Sequence, residues 1–217
     1  MKKMLITGGA GFIGSNFIHY ILSKYNDYQV INLDKLTYAA NLDNLKDIED
    51  NKNYRFIHGD IADQEFIFKL FENEKFDIVI NFAAESHVDN SILNPQIFTI
   101  TNILGTQVLL DACRKYNIKR FHQVSTDEVY GELPLDDKNI LFTEKTPLNP
   151  SSPYSASKAS ADMLVKSYYR TYSNFNAGII FGLLKHNVRY EDLDTMDEAG
   201  CLLTATSFWM PTLRKLS

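Results

Sequence analysis

The chain has 217 residues, 45% of them apolar and 23% charged, and carries a net charge of -5 at neutral pH. That length supports a substantial core, while the acidity argues against a general nucleic-acid binder, whose surface carries a basic excess. No apolar run approaches the ~18 residues that cross a bilayer, so no membrane partner is expected. The two cysteines, Cys113 and Cys201, are isolated and the five histidines are scattered, so no disulfide framework and no metal site are expected, and a reducing cytoplasm is the default compartment.

In chain order, Met4 to Thr7 reads as a strand, and Phe12, Ile13, Phe17, Ile18, Ile21 and Leu22 then recur at helical spacing. Between them lies Thr7-Gly8-Gly9-Ala10-Gly11-Phe12-Ile13-Gly14. Glycines at 8, 11 and 14 permit a tight turn, close approach of a pyrophosphate and close packing of helix on strand. The helix start adds free N–H groups and a positive dipole end. The next strand, Val30 to Asp34, ends on an acid twenty residues after Gly14. A carboxylate there can accept from the adenine-ribose hydroxyls and repels a 2′-phosphate, which favours NAD over NADP. The neighbouring Lys35 weakens that preference slightly. Gly8, Gly11, Phe12, Ile13, Gly14, Asp34 and Lys35 are therefore expected in the cofactor site. Asp60, after the strand Tyr54 to His58, is read either as an adenine-side residue, together with Ile61, or as an ordinary turn aspartate.

Further strands are expected at Asp77 to Ala83 and Arg120 to Ser125, with helical stretches near 64–74 and 95–116. The run Ile78 to Ala84 is almost continuously apolar, as suits a strand covered on both faces, and it brings Ala83 and Ala84 to the carboxyl end where ligands bind. Cys113, among Val108, Leu109, Leu110 and Ala112, reads as packing rather than a nucleophile. Strand and helix alternate throughout, which predicts an α/β fold with a doubly wound, parallel, Rossmann-type sheet.

A long helix is expected from Ser152-Pro153, a good N-cap followed by a first-turn proline. On it Tyr154 and Lys158 stand four apart and share a face. An adjacent ammonium favours the phenolate and lowers the tyrosine pKa, so that the pair can remove a hydroxyl proton as hydride leaves the same carbon. The strand ending at Ser125 runs into Thr126-Asp127-Glu128-Val129-Tyr130-Gly131. Two adjacent carboxyls either point into water or serve a site in which their repulsion keeps one of them protonated.

Thr7 to Gly14, Tyr154 to Lys158 and the Ser125-Thr126 strand end resemble the extended short-chain dehydrogenase/reductases that act on nucleotide sugars. Asn81 to Asp89, Thr101 to Thr106, Ser125 to Gly131 and Ser152 to Lys158 narrow this to a resemblance to the dTDP-glucose 4,6-dehydratase family, over about residues 1–172. The resemblance implies bound NAD, a dTDP-glucose substrate, a place in dTDP-rhamnose biosynthesis, and a homodimer formed through the helices near 95–116 and 153–172. It implies oxidation of the sugar at C4, loss of water across C5 and C6, and return of hydride to C6. Tyr154 would be the base at the 4-hydroxyl, tuned by Lys158, with Thr126 hydrogen-bonded to that hydroxyl. Glu128 would take the C5 proton and Asp127 would protonate the departing C6 hydroxyl. Ser86 and His87 would line the site, the alternative for His87 being a loop histidine bonded to backbone. Asn102 resembles the asparagine that the superfamily keeps behind the site, or is a helix polar residue with ordinary hydrogen bonds. The 4-epimerases of nucleotide sugars share the cradle and the Tyr–Lys pair but generally lack the acid pair. Another NAD-dependent nucleotide-sugar epimerase or dehydratase remains an alternative, as does a catalytically inactive NAD-binding module.

The resemblance ends near Ser173. Ala177 to Phe181 reads as a sixth strand, giving a dinucleotide-binding domain over 1–182. Residues 183–217 read as a divergent tail, with the smaller substrate domain of the family largely missing and turnover expected to suffer. The acidic stretch 191–198 matches no calcium loop and reads as solvated surface.

Overall fold

The computed structural model describes residues 1–118, 120–133, 142–143, 145–172, 175 and 177–180. The expected tail 183–217, its acidic stretch, Cys201 and Phe181 lie outside them. The strands are β1 (Lys2–Thr7), β2 (Tyr28–Asp34), β3 (Tyr54–His58), β4 (Ile78–Asn81), β5 (Arg120–Val124) and β6 (Ala177–Ile180). They form one sheet in the order β3-β2-β1-β4-β5-β6, every neighbouring pair parallel. The order reverses between β1 and β4, and the carboxyl ends of these two strands open the crevice where such sheets bind ligands. The expected α/β, doubly wound sheet is what forms. The fourth strand is shorter than Asp77 to Ala83, because the chain leaves the ladder after Asn81 to border that crevice.

The helices are α1 (Phe12–Lys24), α2 (Gln64–Glu74), α3 (Val88–Leu93), α4 (Pro95–Phe98), α5 (Thr106–Lys115) and α6 (Pro153–Thr171). Alternate strand residues serve opposite faces of the sheet. Leu5, Ile31, Leu33, Val79 and Phe121 join the residues of α2, α5 and α6 in the larger core. Met4, Ile6, Val30, Ile78 and Ile80 join Ile18 and Ile21 of α1 in the smaller one. Cys113 is fully buried and burial pushes its thiol pKa well above the ordinary value, which makes it packing.

The expected single helix over 95–116 is three pieces: α4, a π-helical stretch at Thr99–Gly105, and α5. The wider turn carries Asn102 inward to 2% exposure, and π-turns of this kind concentrate at functional sites. The side chain of Asn102 accepts from the backbone N–H of Glu85 (2.8 Å) and donates to the Glu85 carbonyl (2.9 Å) and to Ser157 Oγ (2.8 Å). It thus ties the segment after β4 to α6. Among the described residues no helix is long and apolar enough to cross a membrane.

Candidate active site

At the carboxyl end of the sheet lies a cavity of about 360 Å³. It is lined by Gly8, Gly11, Phe12, Ile13 and Gly14 from the β1–α1 turn, Asp34 and Lys35 after β2, Asp60 and Ile61 after β3, Ala83, Ala84 and Ser86 after β4, and Tyr154 and Lys158 of α6. Every residue expected in the cofactor site therefore borders one space. The sequence reading did not foresee Thr37, Ala39, Ala40 or the buried Glu85, which line it too. They follow strand ends, and no residue-type pattern distinguishes them from loop.

The glycines have separate causes. Gly8 has φ +69°, and a Cβ there would stand 2.6 Å from the backbone nitrogen of Ala83, so only glycine lets the β1 turn and the β4 exit cross. At Gly14 a Cβ would meet the Gly8 carbonyl oxygen at 2.4 Å. Gly11 differs: a Cβ there would approach nothing closer than the Gly8 oxygen at 3.3 Å. That residue faces the cavity, and its helix begins with no side-chain cap and no acid in the first turn. Uncapped N–H groups with open space before them fit a pyrophosphate. Asp34 accepts from Ala10 N–H (2.9 Å) and Leu36 N–H (2.8 Å), which pins the glycine turn to the end of β2. Each carboxylate oxygen keeps a lone pair for a ribose hydroxyl. Asp60 sits in a turn, where Oδ1 accepts from Ala62 N–H at 2.9 Å, and it lines the cavity, where Oδ2 pairs with Lys35 Nζ at 2.7 Å.

α6 starts with a capping box between Ser152 and Ser155 and with Pro153 in its first turn, which sets the phase at which Tyr154 and Lys158 enter the site. Both are buried, at 8% and 4% exposure. Lys158 Nζ donates to the Val124 carbonyl at 2.6 Å. Beyond Val124, Thr126 caps a 3-10 turn, Asp127–Tyr130, that carries the acids. Thr126 Oγ1 accepts from Glu128 N–H at 3.3 Å and donates to Asp127 Oδ1 at 3.4 Å. Glu128 is exposed and Asp127 half-buried.

These groups converge electrostatically on Tyr154. Its pKa is pushed up to about 12, first by burial, then by the Glu128 charge, with smaller contributions from Asp127 and Asp162; the Thr126 hydrogen bond acts the other way. The expected lowering by Lys158 is not what the protein alone shows. Its ammonium is engaged with the strand carbonyl, and burial lowers the lysine's own pKa. The repulsion within the acid pair appears at Glu128, whose carboxyl lies above the ordinary value through burial and then through Asp127. Ser86 borders the cavity, whereas His87 does not. His87 is exposed, caps α3 with a ring nitrogen 3.5 Å from Asn90 N–H, and gives its own N–H to Tyr38 Oη at 3.2 Å.

A family model described as GDP-mannose 4,6 dehydratase matches residues 5–192. The chain belongs to this family. Within it, the chain is 50% identical over 185 residues to a dTDP-glucose 4,6-dehydratase of Escherichia coli, covering 78% of this chain and 51% of that protein. A crystal structure of dTDP-glucose 4,6-dehydratase from Bacillus anthracis in complex with NAD superposes with a TM-score of 0.74 at 46% identity, over 83% of this chain and 54% of that one. UDP-glucose 4-epimerase from Thermotoga maritima, solved with UDP-glucose, gives 0.72 at 32% identity over 82% and 54%. The chain thus spans about half the length of the curated relatives it matches. Family membership accords with the sheet order, the glycine turn and the Tyr–Lys pair.

Proposed function

We propose that the chain carries the NAD site and the acid–base set of a dTDP-glucose 4,6-dehydratase, a hydro-lyase, with residues 1–182 as its dinucleotide-binding unit. The observation that supports this most is that Tyr154, which lines the cavity, is hydrogen-bonded to Thr126 and lies within the field of Glu128 and Asp127, on the turn that follows the cavity-lining Ser125. Gly11 and the start of α1 would hold the pyrophosphate, Asp34 the ribose, and the wall around Asp60 and Ile61 the adenine. When bound, NAD supplies a hydride acceptor at the sugar C4 and later a hydride donor at C6.

Tyr154 takes the 4-hydroxyl proton, and Thr126 holds that hydroxyl. With C4 a ketone, the C5 proton is acidified, because the carbanion delocalises as an enolate. Glu128 removes it; a carboxylate whose pKa is raised is the stronger base. Asp127, in the role the family resemblance implies, gives a proton to the C6 oxygen, which leaves as water.

Purified chain, denatured and assayed for released dinucleotide, then incubated with dTDP-glucose and NAD, tests the reading. NAD release is expected, with a 4-keto-6-deoxy product formed slowly. A 4-epimer in its place points to an epimerase, and retained NAD with no product points to a binding module. The exposed Ile100, Leu104 and Met163, on the π-helical stretch and α6 that pack together, support the homodimer, which sedimentation measures. Cysteine usage supports a cytoplasmic setting, and the substrate fits dTDP-rhamnose biosynthesis.

A further inference from the structure

Asp162 is fully buried and has no part in the acid–base set just described, yet it stands directly behind it. It follows Lys158 by one helical turn on α6, so the two side chains leave the same face. Ser125 follows Val124 at the end of β5. Ser125 Oγ donates to Asp162 Oδ2 at 2.5 Å, while Lys158 Nζ donates to the Val124 carbonyl at 2.6 Å. α6 therefore grips two consecutive residues of the strand tip, and the next three residues are Thr126, Asp127 and Glu128.

The second oxygen, Asp162 Oδ1, is buried with no hydrogen-bond partner. A carboxylate with one bare oxygen is costly in a protein interior. Packing alone calls for an apolar side chain, and a hydroxyl acceptor alone calls for an amide. What remains to be explained is the charge. Lys158 is as deeply buried, and among the groups acting on it Asp162 is the one that favours its ammonium form. Lys166, one turn further along α6, and Lys158 act on Asp162 together with Ser125, and burial holds the Asp162 carboxyl up at about 6. Tyr154 is the other titratable group that senses it.

We propose that Asp162 is a positioning residue: its carboxylate neutralises the buried Lys158 ammonium and fixes Ser125, so that the strand tip bearing the two acids keeps one register against Tyr154. The consequence for catalysis rests on the dehydratase reading; the contacts do not.

The test is a pH titration by carbon NMR of the full chain, labelled at aspartate carboxyl and lysine ε carbons, with D162N and K158R assigning the two signals. The expected Asp162 midpoint lies near 6, and S125A moves it upward, because the lost donor favoured the carboxylate. In D162N, which keeps an oxygen acceptor for Ser125, the proton affinity of Lys158 falls by about tenfold. A purely structural Asp162 leaves Lys158 unmoved in a folded D162N, and that result overturns the proposal. So does an Asp162 midpoint in the ordinary aspartate range that S125A does not change. Should D162N fail to fold, S125A decides alone. None of these measurements uses a sugar nucleotide, so failure here leaves the dehydratase reading standing, and failure of turnover leaves this assignment standing.

Discussion

The two halves of the site are built differently. The dinucleotide half is tied together by short contacts between distant parts of the chain: Asp34 to Ala10, Asn102 to Glu85 and Ser157, and Gly8 against Ala83. The acid half is one 3-10 turn capped by Thr126, whose hydroxyl accepts from the Glu128 backbone N–H at 3.3 Å and donates to Asp127 Oδ1 at 3.4 Å. A preorganised cradle keeps its shape without ligand, whereas exposed acids on a short turn depend on the neighbours that aim them. Binding of NAD and turnover of the sugar are accordingly expected to separate under mutation.

The largest separation is expected at Glu128. E128Q removes the proposed base at C5 and touches nothing in the cradle. Product formation from dTDP-glucose is expected to fall by about 10²–10⁴-fold, with dinucleotide content unchanged after purification. Loss of both together would erase the contrast between the halves. In the same variant the Glu128 charge no longer opposes the phenolate.

The converse variant is G8A. It forces φ +69° on a residue with a Cβ and drives that atom to 2.6 Å from the Ala83 nitrogen. A cost of about 3 kcal/mol in unfolding free energy is expected, together with loss of bound dinucleotide. Denaturant melts and nucleotide release measure the two effects.

The cradle was readable from sequence because its chemistry is local: glycines at fixed offsets, a strand before, a helix after and an acid at the end of β2. The strands were legible for the same reason, since a strand covered on both faces is buried at every position and reads as a short, mostly apolar run, as at Val30 to Asp34 and Ile78 to Asn81. What escaped was set by contacts remote in sequence. Nothing near Asn102 announces a π-turn, because the turn exists to meet Glu85 and Ser157, 17 and 55 residues away. Asp162 reads as an ordinary helix acid until β5 brings Ser125 to it. The Tyr–Lys spacing foretold a shared face but not the lysine's partner, Val124.

Asp162 also links the site to stability. Its folded pKa of about 6 lies above the ordinary 3.8, so the folded state holds this proton more tightly than the unfolded chain. The resulting stabilisation is fully present below about pH 3.8 and is lost as pH rises to about 6. Over that interval wild type is expected to lose on the order of 2 kcal/mol relative to D162N. His122 works in the opposite sense: burial and Arg120 lower it from 6.5 to about 4, so it withdraws stability as pH falls through that window. Both proteins carry His122, so it cancels in the difference. Parallel stability curves for the two proteins would contradict the titration.

The smallest effect is expected at the rim of the strong half. Lys35 and Asp60 meet at 2.7 Å, but their side chains are 46% and 29% exposed. Water and salt screen such a pair, and holding two long side chains costs entropy, so its worth is a few tenths of a kcal/mol. K35M is expected to leave the unfolding midpoint within experimental error. Its effect belongs to the ligand: Lys35 lines the cavity next to Asp34, where its charge tempers repulsion of a 2′-phosphate. Removing it is expected to sharpen the preference for NAD over NADP by about threefold while changing NAD affinity less than that, read by competitive titration at two salt concentrations. A drop in NAD affinity as large as that of G8A would show that the cradle is held by its rim and not by the contacts beneath it.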